Sequence, residues 1–152
     1  VVDPGRIAVA GHSLGGVVTM KLALGGGFQA AVVQASYSDP ADDERLPALS
    51  IPTMYLAGQS DCMAKEQQVR DGWAKVSSPT ALVVLEGVTH FQFSDSDAED
   101  VKRSCIPTTS LDDAHARITS AMTAFLGAAL ATPPAVGEAQ LRTIPSAIVE
   151  VR

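Results

Sequence analysis

The chain has 152 residues, of which 46% are hydrophobic, and carries a net charge of −6. This composition is typical of one globular domain and excludes an intrinsically disordered chain. The 11 lysine and arginine residues are scattered, so the sequence lacks the basic patch expected of a nucleic-acid-binding protein. No apolar run approaches the roughly 18 residues that a membrane-spanning helix needs, and we predict no membrane span.

Strands and helices are predicted to alternate along the chain. Strands are predicted over 6–10, 30–35, 53–57 and 81–85, and helices over 14–24, 64–76 and 110–130. Ser110 and Asp113 form a capping pair at the start of the last helix. Such alternation requires right-handed crossovers and predicts an α/β fold with a mostly parallel sheet flanked by helices.

The remaining segments are predicted to be irregular. Residues 38–49 are polar and acidic and predict a loop or a short irregular helix, and residues 91–109 are polar and acidic, which is typical of loops. Residues 132–152 contain three prolines and show few positions expected to anchor the segment to a core. We therefore place one domain over 1–131 and interpret 132–152 as a C-terminal tail or an added strand, the strand lying over 147–151.

A glycine-flanked serine lies between the first predicted strand and the first predicted helix. Residues 11–15 read Gly-His-Ser-Leu-Gly, and Ser13 is the central residue. The Gly-x-Ser-x-Gly pattern at a strand-to-helix turn is typical of a nucleophile elbow. In so tight a turn, side chains at Gly11 and Gly15 would collide. We predict Ser13 as a nucleophile, the alternative being a glycine-rich turn with no catalytic role.

A serine nucleophile needs a base, and the chain has three histidines. His90 follows the fourth predicted strand, at the sheet edge where catalytic loops of parallel sheets lie. His12 is too close to Ser13 in sequence to act as its base. His115 begins the last helix, where we expect a solvated surface residue. We predict His90 as the base, the alternative being a structural loop histidine.

The base in turn needs a carboxylate that orients it. Asp61 follows the third predicted strand and so lies at the same sheet edge as Ser13 and His90. Asp39 and Asp42 follow the preceding strand and could serve in a variant arrangement. Loop carboxylates are usually only solvated, which is the alternative for each. We predict Asp61 as the acid.

Three segments together resemble the α/β-hydrolase superfamily, and within it the dienelactone-hydrolase-like and cutinase-like polyester hydrolase branch. They are DPGRIAVAGHSLGG over 3–16, IPTMYLAGQSD over 51–61 and GVTHF over 87–91, and the resemblance extends over 3–130. It implies a serine esterase that cleaves a small-molecule ester or a polyester through an acyl-enzyme, with no metal or other cofactor. Peptidases, thioesterases and acyltransferases use the same triad, and the motif does not exclude them.

The resemblance also implies roles for four further residues. The Leu14 N–H would be one of two donors to the oxyanion. Tyr37 would form an aromatic wall beside the acyl group, the alternative being an ordinary packing residue. Cys62 and Cys105 stand where secreted relatives have a disulfide, although two free thiols are the alternative. A disulfide would favour a secreted or extracytoplasmic location.

The sequence departs from this family at its start. Family members have several strands and a helix before the elbow strand, and a loop there supplies the second oxyanion donor. This chain enters the elbow strand within a few residues of Val1. We therefore expect the C-terminal part of the fold, with about four strands and an open edge. A missing N-terminal segment or a second chain would complete it. The alternative function is an inert half that needs this partner.

Overall fold

Five strands form one sheet in the computed structural model, which describes residues 3–77 and 79–152. They are β1 (Ala8–His12), β2 (Ala30–Gln34), β3 (Thr53–Gly58), β4 (Thr80–Leu85) and β5 (Ala147–Val151). The sheet order is β1-β2-β3-β4-β5, with β1 to β4 parallel and β5 antiparallel to β4. The predicted α/β fold with a mostly parallel sheet is therefore confirmed, and β5 is the added strand that was one of the two interpretations of the C-terminal segment.

Five helices connect and cover these strands. They are α1 (Leu14–Gly25), α2 (Glu66–Ala74), α3 (Ala98–Lys102), α4 (Leu111–Ala129) and α5 (Glu138–Leu141), with short 3-10 turns at Pro40–Asp42, Leu46–Ala48 and Phe91–Phe93. Ser110 caps α4 as expected, because its hydroxyl accepts the Asp113 N–H. The interval over 91–109, expected to be irregular, contains α3. Within the described residues, no helix has the length and apolar character required to cross a membrane.

The sheet separates two apolar cores. Because successive side chains of a strand point to opposite faces, Met54 and Leu56 of β3 enter one core and Tyr55 enters the other. Helices α4 and α5 cover the first core, where Phe125 is completely buried. Helices α1 and α2 cover the second, where α2 buries Trp73. The sheet is thus flanked by helices on both faces, which leaves its carboxyl edge open for loops.

The segment predicted as a tail or an added strand forms α5 and β5. Residues 147–151 of β5 pair antiparallel with β4. Leu141, Ile144 and Val149 are buried in the same core as α4. These buried side chains join the segment to the core that α4 covers.

The opposite edge of the sheet is less covered. β1 stands at the end of the strand order, and its residues are half-buried or exposed. Leu14, Val18 and Leu22 lie four residues apart on α1 and are 75%, 47% and 45% exposed. We call these three residues the α1 stripe. A helix that is apolar all round normally packs on more than one side, and the α1 stripe has no such cover within the described residues.

Leu141→Ala tests whether 132–152 is part of the folded unit. Because Leu141 is completely buried, we expect a loss of about 2–5 kcal/mol in the free energy of unfolding. Ile148→Ala on β5, where the side chain is 40% exposed, is the control and should cost about 1 kcal/mol or less. Urea denaturation measures both. Equal, small losses would instead favour a dispensable tail after residue 131.

Candidate active site

Ser13 forms the turn between β1 and α1. Its φ of 55° and ψ of −123° lie where side-chain-bearing residues are rarely found, and so indicate local backbone strain. The turn is anchored because the Ser13 N–H donates to the Gln34 carbonyl oxygen (2.9 Å) and the Gly16 N–H to that of Ser13 (2.8 Å). The sequence motif therefore folds into a strained strand-to-helix turn with the serine at its tip.

Two of the three glycines around Ser13 are required by contacts. A Cβ at Gly11 would lie 2.2 Å from the Gly15 carbonyl oxygen, and one at Gly16 would lie 2.5 Å from the Ser36 Cβ. The steric expectation for Gly15 is wrong, because a Cβ there meets no described atom within 4 Å. It is the backbone of Gly15 that crowds Gly11.

The loops after β3 and β4 are held against each other. The Ser60 N–H donates to the Val88 carbonyl oxygen (2.9 Å). A Cβ at Gly58 would lie 2.4 Å from the same oxygen, so only glycine permits this approach. The loop that carries Asp61 is thereby fixed beside the loop that carries His90.

Ser13, His90 and Asp61 form a hydrogen-bonded row. The Ser13 Oγ lies 2.9 Å from His90 Nε2, and His90 Nδ1 lies 2.8 Å from Asp61 Oδ2. Both His90 and Asp61 are buried, at 2% and 5% exposure. A carboxylate only accepts, so Nδ1 carries the proton and Nε2 is free to accept from the serine hydroxyl.

The Asp61 carboxylate has further partners on its other oxygen. Asp61 Oδ1 accepts the N–H groups of Met63 (2.7 Å) and Ala64 (2.8 Å). These bonds fix the plane of the carboxylate and leave Oδ2 for the imidazole. The structure thus brings the three predicted residues together in one arrangement.

His12 supports the His90 loop, a contact that sequence analysis missed. Its Nε2 donates to the His90 carbonyl oxygen (3.0 Å), and its ring stacks on Phe93 at 5.9 Å. Burial lowers the pKa of His12, and the neighbouring His90 ring lowers it further. A neutral His12 suits this position, because only one of its nitrogens needs to donate.

The alternative acids lie in a different cluster. Asp39 and Asp42 both pair with Lys21 of α1 at 2.8 Å. The hydrogen bond from Lys21 lowers the pKa of Asp39. The structure therefore places Asp61, and neither of these carboxylates, against His90.

His115 is not the solvated residue that we expected. Its side chain is half-buried, and Nε2 lies 2.8 Å from the Ser94 carbonyl oxygen. This contact ties α4 to the loop after Phe93. Among residues 3–77 and 79–152, no three His, Cys, Asp or Glu side chains are arranged to hold a metal ion.

A cleft of about 210 Å³ opens beside Ser13 and His90. Its apolar lining includes Leu14, Tyr37 and Met63, which are 75%, 40% and 39% exposed. Leu14 is the first residue of α1, where backbone N–H groups have no acceptor within the helix. Leu14 and Tyr37, both predicted site residues, therefore lie at the serine.

Cys62 and Cys105 form a disulfide, with their Cα atoms 5.6 Å apart. Cys62 directly follows Asp61, and Cys105 lies beyond α3 and is buried. The bond therefore connects the acid's loop with the segment that follows His90.

A family model described as "Alpha/beta hydrolase family" matches residues 3–108, more than half of the chain. The matched range contains the elbow, the acid's loop and the loop of His90. No curated protein matches the sequence at a significant level.

His12→Gln tests the lowered pKa of His12. Below the ordinary value of 6.5, the unfolded chain binds more protons at this residue than the folded protein does, so folding stability falls as the pH falls. Near pH 8 the free energy of unfolding of the variant should be about 1 kcal/mol lower, because the hydrogen bond to the His90 carbonyl oxygen is weakened. Glutamine does not titrate, so this deficit should narrow as the pH is lowered to about 5. Urea denaturation across this range measures it, and a deficit independent of pH would contradict the lowered pKa.

Proposed function

The chain belongs to the alpha/beta hydrolase family, and from this we propose that it is a serine hydrolase that cleaves carboxylic esters. Ser13 is the nucleophile, His90 the general base and Asp61 the residue that orients it. The observation that supports the proposal is the row of hydrogen bonds from Ser13 Oγ through both His90 nitrogens to Asp61 Oδ2. Burial of the imidazole strengthens these bonds by excluding water.

Acylation uses the neutral imidazole. As Ser13 Oγ bonds to the ester carbonyl carbon, its proton passes to His90 Nε2. The imidazolium formed is stabilised by Asp61 Oδ2 through the Nδ1–H. His90 then returns the proton to the alcohol oxygen, the ester C–O bond breaks, and an acyl-enzyme remains on Ser13. In deacylation a water molecule attacks the acyl carbon while its proton passes to His90 Nε2. His90 returns the proton to Ser13 Oγ, and the carboxylic acid product leaves.

The negative charge on the tetrahedral intermediate needs donors. We assign one to the Leu14 N–H, because it lies in the first turn of α1, directly after the nucleophile. The positive end of the α1 dipole favours charge at the same place. We assign the second donor to no residue within 3–77 and 79–152.

The lining of the cleft favours an apolar acyl group. Tyr37 and Met63 border the serine with partly exposed apolar surfaces, which suits an aromatic or aliphatic acyl group better than a charged one. The open shape leaves room for a small ester or for a segment of a polyester. This is the substrate range of the cutinase-like and dienelactone-hydrolase-like branch that the sequence resembles. Amides, thioesters and acyl transfer remain competing reactions for the same triad.

A second candidate function rests on the uncovered edge. β1 ends the sheet, and the α1 stripe of Leu14, Val18 and Leu22 exposes apolar surface beside it. Free edge strands and apolar stripes invite pairing with further polypeptide. We propose that a further segment or a second chain packs there and supplies the second oxyanion donor. Without it, the chain would be an inert half.

Substitution of the triad tests the first proposal. Ser13→Ala should lower kcat for a nitrophenyl ester by about 10⁶-fold, and Asp61→Asn by about 10⁴-fold, as in other serine triads. Ester turnover and labelling by a fluorophosphonate probe measure the loss.

Two controls match these changes. Ser120→Ala removes an exposed serine of α4 whose hydroxyl donates to the Ala116 carbonyl oxygen, and it should leave labelling intact. Asp39→Asn removes the alternative acid and should leave kcat unchanged. Turnover that survives Ser13→Ala would overturn the assignment of the nucleophile.

Charge on the α1 stripe tests the second proposal. Val18→Lys should abolish self-association or partner binding through this face, because a charged lysine has to stay hydrated and cannot be buried in an apolar interface. Light scattering during size-exclusion chromatography measures the association. Lys21→Ala is the control, since Lys21 lies on the same helix but pairs with Asp39 and Asp42. A monomeric wild-type chain with full esterase activity would exclude the inert-half alternative.

A further inference from the structure

A second buried carboxylate lies beside the His90 loop. Asp100 of α3 is completely buried, and its Oδ2 accepts two hydrogen bonds. One comes from the Thr89 hydroxyl (2.7 Å) and the other from the Phe91 N–H (2.8 Å). These two donors belong to the residues immediately before and after His90. A single oxygen atom therefore holds the residues on both sides of the histidine, Thr89 through its side chain and Phe91 through its backbone.

The segment that carries Asp100 is itself fixed at a second point. The Asp100 carbonyl oxygen accepts the Cys105 N–H (2.9 Å), and Cys105 is bonded to Cys62 beside Asp61. Asp61, which bonds to His90, is thus connected through the Cys62–Cys105 disulfide to Asp100. Asp100 in turn bonds to the two residues that flank His90. A shift of α3 would be transmitted to both loops.

Asp100 is not a second acid for the imidazole. His90 Nδ1 is already paired with Asp61 Oδ2, and Nε2 with Ser13 Oγ. The other oxygen of Asp100, Oδ1, is buried without a hydrogen-bond partner in the described part of the chain. Leaving a carboxylate oxygen buried and unpaired lowers the stability of the fold. Stabilisation of the loop is therefore a weak explanation for a carboxylate at this position.

We propose that Asp100 is a positioning residue for the reaction: it sets the backbone of residues 89–91 so that the His90 ring reaches Ser13 and Asp61 at the same time. This inference rests on the proposed function of the triad. Reacting groups must be placed closely, and a misplacement of about 1 Å can cost about 10²-fold in rate. Asp100 therefore acts on kcat through His90, without touching the substrate.

Asp100→Ala tests this role in the full chain. It leaves the Thr89 hydroxyl and the Phe91 N–H without their acceptor, so we expect kcat for a nitrophenyl ester to fall by about 10–100-fold with KM nearly unchanged. The low-field proton resonance of His90 Nδ1–H, observed by NMR, should broaden or disappear. The rate of fluorophosphonate labelling of Ser13 should fall in parallel with kcat.

Three further variants separate positioning from folding. Asp100→Asn keeps an acceptor oxygen and should restore most of the rate and the resonance. Thr89→Val removes one of the two donors to Asp100. Its kcat should lie between those of the wild-type chain and Asp100→Ala, and its Tm should change less than that of Asp100→Ala. Asp42→Ala removes another buried carboxylate, one that pairs with Lys21 and Arg45, and should lower Tm without changing kcat or the resonance.

Several outcomes would overturn the role of Asp100. One is that Asp100→Ala keeps the His90 resonance and the labelling rate of the wild-type chain. Another is that Asp100→Asn loses as much of kcat and of the resonance as Asp100→Ala does. A failure of the proposed function is seen separately, because it removes ester turnover and labelling from the wild-type chain. The His90 resonance requires no substrate and reports on Asp100 in either case.

Discussion

The hydrogen bond between His90 Nδ1 and Asp61 Oδ2 is the contact on which the arrangement of the site depends. It joins the loops after two neighbouring parallel strands, whose carboxyl ends meet at one edge of the sheet. With Nδ1 occupied as a donor, Nε2 becomes the acceptor that faces Ser13. The tautomer of His90, and with it the acceptor role of Nε2, therefore follows from one buried bond.

Groups from several segments maintain that bond. Gly58 lets the exit of β3 approach the Val88 carbonyl oxygen, and the Met63 and Ala64 N–H groups hold the carboxylate. His12 holds the His90 carbonyl oxygen from the elbow itself. These contacts fix Asp61 and His90 in the positions in which their side chains meet.

Much of this could be predicted because it is local in sequence. The elbow, the strands and the residues that follow them depend on short patterns, and chain order in a parallel sheet puts Ser13, Asp61 and His90 at one edge. What could not be predicted depends on contacts between distant segments. The half-buried position of His115, the hydrogen bonds of Asp100 to the His90 loop and the burial of Leu141 are of this kind. The error at Gly15 has another cause. The sequence pattern does not show that a side chain is excluded at Gly11, nor that the atoms that exclude it belong to the backbone of Gly15.

Leu14 belongs at once to the exposed stripe of α1 and to the lining of the cleft at Ser13. Any polypeptide that packs along α1 therefore also becomes a wall of the cleft and narrows its mouth. If the proposed partner binds at α1, association and substrate choice would not be separate properties of this protein. The proposed selectivity among acyl groups would then differ between the free and the assembled chain, and would vary with protein concentration.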